Sequence, residues 1–114
     1  MFAQLATFEE TPEQLTEGLR HLQEEVVPSF GQPEGLLAAY WLVDPASGRR
    51  LTLMIWDNAE AQAAAMPAIM QGIGARRAAA GRQNPPNSPT SVAKYEIFAQ
   101  AVSGRAAELA SATI

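Results

Sequence analysis

LLAAYWLV, DPASGR and RLTLMIW follow one another without a break from Leu36 to Trp56. The two flanking runs are dense in aliphatic and aromatic residues and short enough to be strands. Between them, Asp44 and Pro45 suit the start of a turn and Gly48 tolerates positive φ, so Leu36–Val43 and Arg50–Trp56 are expected to form a hairpin. Its pattern is unusual for a sheet with one wet side, because neither strand alternates cleanly between apolar and polar residues. In strict alternation Leu36, Ala38, Tyr40 and Leu42 oppose Leu37, Ala39, Trp41 and Val43, and Leu51, Leu53 and Ile55 oppose Thr52, Met54 and Trp56. Both faces of this hairpin call for burial.

Outward from the hairpin, the remaining segments complete a simple order. Phe2–Phe8 reads as a strand. Thr11-Pro12-Glu13-Gln14 carries a helix start, with a capping threonine, proline at the first helical position and glutamine at the third. Leu15, Leu19, Leu22 and Val26 form one apolar stripe, and Pro28, Gly31, Pro33 and Gly35 are expected to end the helix. After Trp56, Asp57 or Asn58 can cap an alanine-rich helical region. Proline in a helix interior costs about 3 kcal/mol. A break is therefore expected at Pro67, giving one helix to about Met66 and another from Pro67 to about Ala80, closed by Gly81. Ile69, Ile73 and either Met66 or Met70 should face inward. The proline-rich stretch 82–90 reads as an irregular connection, Ser91–Gln100 as a last strand, and Val102–Ile114 as a weak helix or frayed tail. The order is strand, helix, strand, strand, helix, strand. It predicts an α+β, ferredoxin-like βαββαβ domain over residues 1–100, a four-stranded antiparallel sheet with helices on one face, followed by a tail over 101–114.

Composition bounds the possible functions. The 114 residues are 47% hydrophobic and 18% charged, which suits one folded domain. Eight lysines and arginines among twelve acids give a net charge of −4, which argues against a nucleic-acid partner. Cysteine is absent, so disulfides, thiolate metal sites and a cysteine nucleophile are excluded. No signal-like N-terminus and no run of 18 apolar residues is present, so a cytoplasmic location and no membrane partner are expected.

The doubly apolar hairpin bears on assembly. One face of such a sheet covers roughly 350 Å² at ordinary strand spacings. That is close to the largest apolar patch a soluble monomer tolerates. A homodimer that pairs the two open faces by symmetry is therefore expected, with at least one large side chain from each hairpin strand in the interface.

The element order, the hairpin ending in Trp56-Asp57, and the strand Val92-Ala93-Lys94-Tyr95-Glu96-Ile97 resemble the dimeric α+β barrel superfamily, and within it the antibiotic-biosynthesis-monooxygenase-like domains of bacteria. The resemblance covers about residues 1–100. It implies a homodimer with a shared barrel, a pocket between each sheet and its own helices, and a range of activities that includes cofactor-free monooxygenases, haem degraders and isomerases. Haem degraders of this group look for an Asn in the first strand and a His and a Trp in the second helical region. Here the first strand offers Gln4 and Thr7, and Ala59–Ala80 holds neither His nor Trp, which argues against haem chemistry.

Few residues can carry a reaction. His21 is the one imidazole and lies at the edge of the buried stripe, as a general base or as a boundary residue. As a base it should border the pocket with a polar neighbour such as Tyr40 or Tyr95. Tyr40, Trp41, Trp56 and Tyr95 can stack on a flat aromatic ligand, and Met54, Met66 and Met70 can line an adaptable apolar pocket, although all of these suit a core or interface equally. Arg76 and Arg77 follow Gly72-Ile73-Gly74 as a solvated pair or a carboxylate clamp, and Glu9-Glu10 and Glu24-Glu25 read as ordinary helix-flanking charges. No metal and no cofactor is expected. The leading expectation is a dimeric barrel handling a small apolar or aromatic metabolite, as a cofactor-free monooxygenase. Its rival is a ligand-binding or structural dimer without enzymatic activity.

Overall fold

A computed structural model describes residues 1–82 and 87–104. The strands are β1 (Phe2–Phe8), β2 (Leu36–Val43), β3 (Arg50–Trp56) and β4 (Ser91–Glu96). They form one antiparallel sheet in the order β2-β3-β1-β4, the ferredoxin-like arrangement expected. The Asp44 side chain builds the hairpin turn: one oxygen accepts from the Ala46 N–H at 3.0 Å and the other from the Ser47 hydroxyl at 2.9 Å. Gly48 closes the turn at φ 81°, where a side chain would strike the backbone of residues 10 and 11. β4 stops at Glu96 instead of Gln100. Its last pairing is from the Ile97 N–H to the Met1 carbonyl, beyond which β1 offers no partner.

The first helical region is longer and less regular than the sequence suggests. A 3-10 turn (Pro12–Gln14) leads into α1 (Leu15–His21), a π-helical turn follows over Leu22–Val26, and α2 (Val27–Phe30) ends at Gly31. At its start, Gln14 Oε1 accepts from the Thr11 N–H at 3.0 Å. Pro28 was expected to help end the helix but does not; it sits in the first turn of α2, where a missing N–H costs little. In the wide turn the Val27 N–H reaches back to the Leu22 carbonyl, and the Ser29 hydroxyl satisfies the Glu25 carbonyl at 2.5 Å.

The second helix is continuous. Asn58 caps it through the Ala61 N–H at 2.8 Å, and α3 runs over Ala59–Ala79 with Pro67 inside it. The expected break is absent. Pro67 and Ala63, whose carbonyl loses its partner, both lie on the exposed side, where water can satisfy the freed oxygen. Ile69 and Ile73 are buried on the opposite side and Met66 packs against the core, whereas Met70 is exposed.

These helices cover one face of the sheet. Phe30, Met54, Trp56, Ile69 and Ile73 form the buried centre, with Phe2, Leu36, Ala39 and Trp41 packed around it. The registers place Gln4, Met54 and Ala39 on this side, and Trp41 opposite Thr52. A bulge between Leu36 and Ala38 breaks the strict alternation of β2, so Leu36 shares the helix side with Ala39 and Trp41. The face turned away from the helices carries Leu5 and Ala3 from β1, Ala38, Tyr40 and Leu42 from β2, Leu51, Leu53 and Ile55 from β3, and Ala93 and Tyr95 from β4. Of the large hairpin side chains, Met54 and Trp41 belong to the core and not to this face.

Candidate functional site

The helix-covered layer changes character along the strands. At one end Trp56 is completely buried, among Phe2, Leu36 and Phe30. The Phe30 and Trp41 rings meet edge to face with centroids 5.0 Å apart. At the other end β3 begins with Arg50, opposite Phe8, and Arg50 is buried like a core residue. A buried guanidinium is tolerable only when it is paired and hydrogen-bonded. Arg50 lies over the Phe8 ring, 4.8 Å from its centroid, and donates to both oxygens of the equally buried Glu10, at 2.6 and 3.1 Å. The Asn87 amide donates a third bond to Glu10, at 2.8 Å. Arg50 and Asn87 hold the Glu10 carboxyl below its ordinary range, although burial alone would raise it.

Gly18 makes this pairing possible. A side-chain carbon there would overlap the Glu10 carboxylate and come within 2.9 Å of the Arg50 Nε. Gly18→Ala should therefore destabilise the fold by about 1–3 kcal/mol, even though alanine is the better helix former. A thermal melt checks this; a variant at least as stable as the parent would show that the ion pair can shift freely.

The π-helical turn delivers a second buried carboxylate. Glu25 is only 1% exposed and accepts from three side chains at once. Its Oε1 takes His21 Nδ1 at 2.7 Å and an Arg77 amino group at 3.1 Å, while Oε2 takes Arg82. Arg82 also reaches Glu24 on the outer side. Inserted π turns commonly re-aim side chains at functional positions, and this one turns Glu25 under the helix.

The consequence falls on His21. Its Nδ1–H donates to Glu25, which fixes the tautomer and leaves Nε2 as the acceptor; among the described residues Nε2 has no hydrogen-bond partner. Burial, then the nearby Arg77, Arg50 and Arg82, lower the imidazole's pKa from 6.5, outweighing the opposite pull of Glu10. The surroundings therefore favour the neutral imidazole. It lines an open cleft of about 340 Å³ together with Glu10, Gly18, Arg50, Arg77 and Asn87, with Glu13 and Glu17 at the exposed rim.

The sequence-selected residues are divided among four places. His21 borders this cleft, but its polar neighbour is Glu25, because Tyr40 and Tyr95 stand on the far side of the sheet. Trp41, Trp56 and Met66 belong to the packed core, and Met70 is 56% exposed on α3. Tyr95 also borders a separate cleft of about 410 Å³ with Phe2, Asp57 and Lys94. Among the described residues, the six picked for a ligand pocket are thus spread over both faces of the sheet and the outer side of α3. The reading of Glu10 and Glu25 as ordinary flanking charges is corrected by their burial, and that of Arg77 as merely solvated by its bond to Glu25. Arg50 went unnoticed in the sequence. The signal for it existed: it shares the strand parity of Met54 and Trp56, so a charge stood at a core-facing position.

No protein-family model and no curated protein matches the sequence. Solved structures do match. A Streptomyces coelicolor monooxygenase in complex with nanaomycin D superposes with a TM-score of 0.64 at 13% identity, covering 90% of this chain and 92% of that one. An antibiotic-biosynthesis-monooxygenase-type protein of Deinococcus radiodurans gives 0.59 at 21% identity, with 90% and 97% covered. The fold is that of the antibiotic-biosynthesis-monooxygenase-like proteins. A variant of MhuD with two manganese protoporphyrin IX molecules bound per active site shares it as well, at a TM-score of 0.59 and 19% identity over 90% of this chain and all of that one. At these identities the likeness concerns the fold, and any activity must be argued from the chain's own residues. Among the described residues no three His, Asp or Glu side chains gather as metal ligands, and no helix is long and apolar enough to cross a membrane.

Proposed function

We propose that this chain forms a homodimer through its open sheet face and acts on a small aromatic metabolite in the His21 cleft, as a cofactor-free oxygenase. The observation that carries the proposal is His21 itself: an imidazole held toward its neutral form, oriented by a buried carboxylate and lining an open cleft. That arrangement suits general-base removal of a weakly acidic proton. Arg77 and Arg50 stand beside it, where they can stabilise the anion that forms. An anthrone anion can react with dioxygen directly: one methylene and one O₂ become one carbonyl and one water, with dioxygen as the oxidant. The monooxygenase in complex with nanaomycin D lends support, since it has the same fold.

Dithranol, a simple anthrone added from an organic stock, provides the test. The chain should speed its oxidation over buffer with one O₂ consumed per carbonyl formed. The rate constant kcat/KM should rise with pH through a midpoint below 6.5, because the base works only when neutral and its folded pKa lies below that value. Stability should move the same way. Both His21 and Glu10 have lowered pKa values in the fold, so the unfolded chain binds more protons. Stability from His21 is then lost as pH falls below about 6.5, and from Glu10 as it falls below about 4.5. Oxidation no faster than in buffer would sink the oxygenase reading. The filled apolar end of the layer, with Trp56 fully enclosed, favours the second reading, a binding dimer without turnover.

A further inference from the structure

We infer that Pro28 and Ser29 are positioning residues: together they hold open the wide turn over Leu22–Val26 and so keep the Glu25 carboxylate on the Nδ1 of His21. The inference rests on His21 acting as the base and names what keeps that base in its working tautomer.

A regular helix through this segment would carry Pro28 in its interior. There the ring collides with the carbonyl four residues back, which here is that of Glu24, and brings no N–H to it. The wide turn removes the conflict. Through it the Val27 N–H reaches the Leu22 carbonyl, five residues back, and the chain then starts α2 afresh with Pro28 in its first turn. Ser29 fastens the far side of the turn. Its hydroxyl donates to the carbonyl of Glu25, the residue whose carboxylate is buried. α3 in turn holds Ser29. Arg76 donates from Nε to the Ser29 oxygen at 3.2 Å and from an amino group to the Pro28 carbonyl at 3.5 Å. Gly72 lets α3 come this close, since a side-chain carbon there would lie 3.2 Å from the Ser29 Cβ. A turn of this kind inserts one residue into a helix, and one residue is about 100° of rotation. Closing it would turn His21 and the buried Phe30 relative to each other by about that angle and carry Glu25, which lies between them, off the imidazole. Pro28, Ser29, Gly72 and Arg76 stand outside the described lining of the cleft, so they act on it only through Glu25 and His21.

The chain's one histidine makes His21 its own reporter. Imidazole proton–nitrogen NMR spectra of the intact chain, with no substrate present, show which ring nitrogen carries the proton. They are recorded at about pH 8, where a histidine with a pKa below 6.5 is neutral. In the parent the proton should sit on Nδ1, held there by Glu25. Pro28→Ala combined with Ser29→Ala restores the missing N–H and removes the hydroxyl. Alanine suits a regular helix, so the double variant should fold, and a thermal melt confirms that it does. Its ring should pass to a mixture in which Nε2–H is the major form, since no carboxylate then selects Nδ1. If the double variant does not fold, Ser29→Ala alone decides, with a shift in the same direction. A folded variant that keeps its proton on Nδ1 overturns the inference, whatever happens to its melting temperature. The parent separates this inference from the reading beneath it. If its Nδ1 carries no proton, the oriented base itself fails, and the positioning with it. If the tautomer changes as expected but dithranol is oxidised no faster than in buffer, the positioning stands and the oxygenase reading alone falls.

Discussion

His21→Asn should leave the chain folded and lower its turnover of dithranol by about 10²–10⁴-fold, the usual contribution of a positioned general base. Asparagine can still donate to Glu25 but has no basic nitrogen to present to the cleft. Glu25 keeps both guanidinium partners in the variant, so no buried charge is stranded. The loss in stability should be on the order of 1 kcal/mol, that of one hydrogen bond. The contrast between a large loss of rate and a small shift in melting temperature distinguishes a base from a boundary residue. Rate and stability falling together, or neither falling, would count against the proposed mechanism.

Leu53→Asp should convert a dimer into a folded monomer. Leu53 sits near the middle of the open face, paired with Leu5 on one side and Tyr40 on the other. That face also shows Tyr40 at 49%, Leu42 at 46% and Tyr95 at 57% exposure in the single chain, a contiguous apolar patch of the kind that marks an interaction surface. Burying one leucine is worth about 1.5–3 kcal/mol, and symmetry counts each substitution twice. A loss of roughly 3–6 kcal/mol weakens dimerisation by at least about 10²-fold. Light scattering at micromolar concentration should give twice 12.2 kDa for the parent and the single-chain mass for the variant. The aspartate faces water once the partner has left, so the monomer should keep its fold. A parent chain that is already monomeric would overturn the dimer. Charges at Met54 or Trp41 would not test it, because both lie in the core and would unfold the chain.

The two predictions depend on different parts of the sequence. The sheet was legible because strand patterns are local: β1, β2 and β3 fall where Phe2–Phe8, Leu36–Val43 and Arg50–Trp56 indicate, and Asp44 and Gly48 specify their turn by their own chemistry. Helix starts were legible for the same reason, since Gln14 and Asn58 act within three residues of themselves. The continuity of α3 through Pro67 was not, because it depends on which side of the helix faces water.

The polar cleft lay furthest from the sequence. Its main contacts join residues 40, 52 and 57 positions apart: Arg50 to Glu10, Arg77 to Glu25 and Arg82 to Glu25. Each of these side chains, read alone, is an ordinary surface charge. The sequence by itself determined the strands, the turn, the capped helices and the lone imidazole, which are set by neighbours along the chain. Only the tertiary structure decided that two glutamates are buried, that His21 leans on one of them, and that Trp41 and Tyr40 face opposite ways. Those outcomes depend on which distant charges meet once water is excluded, and on a bulge and a wide helical turn that shift the facing of every residue near them.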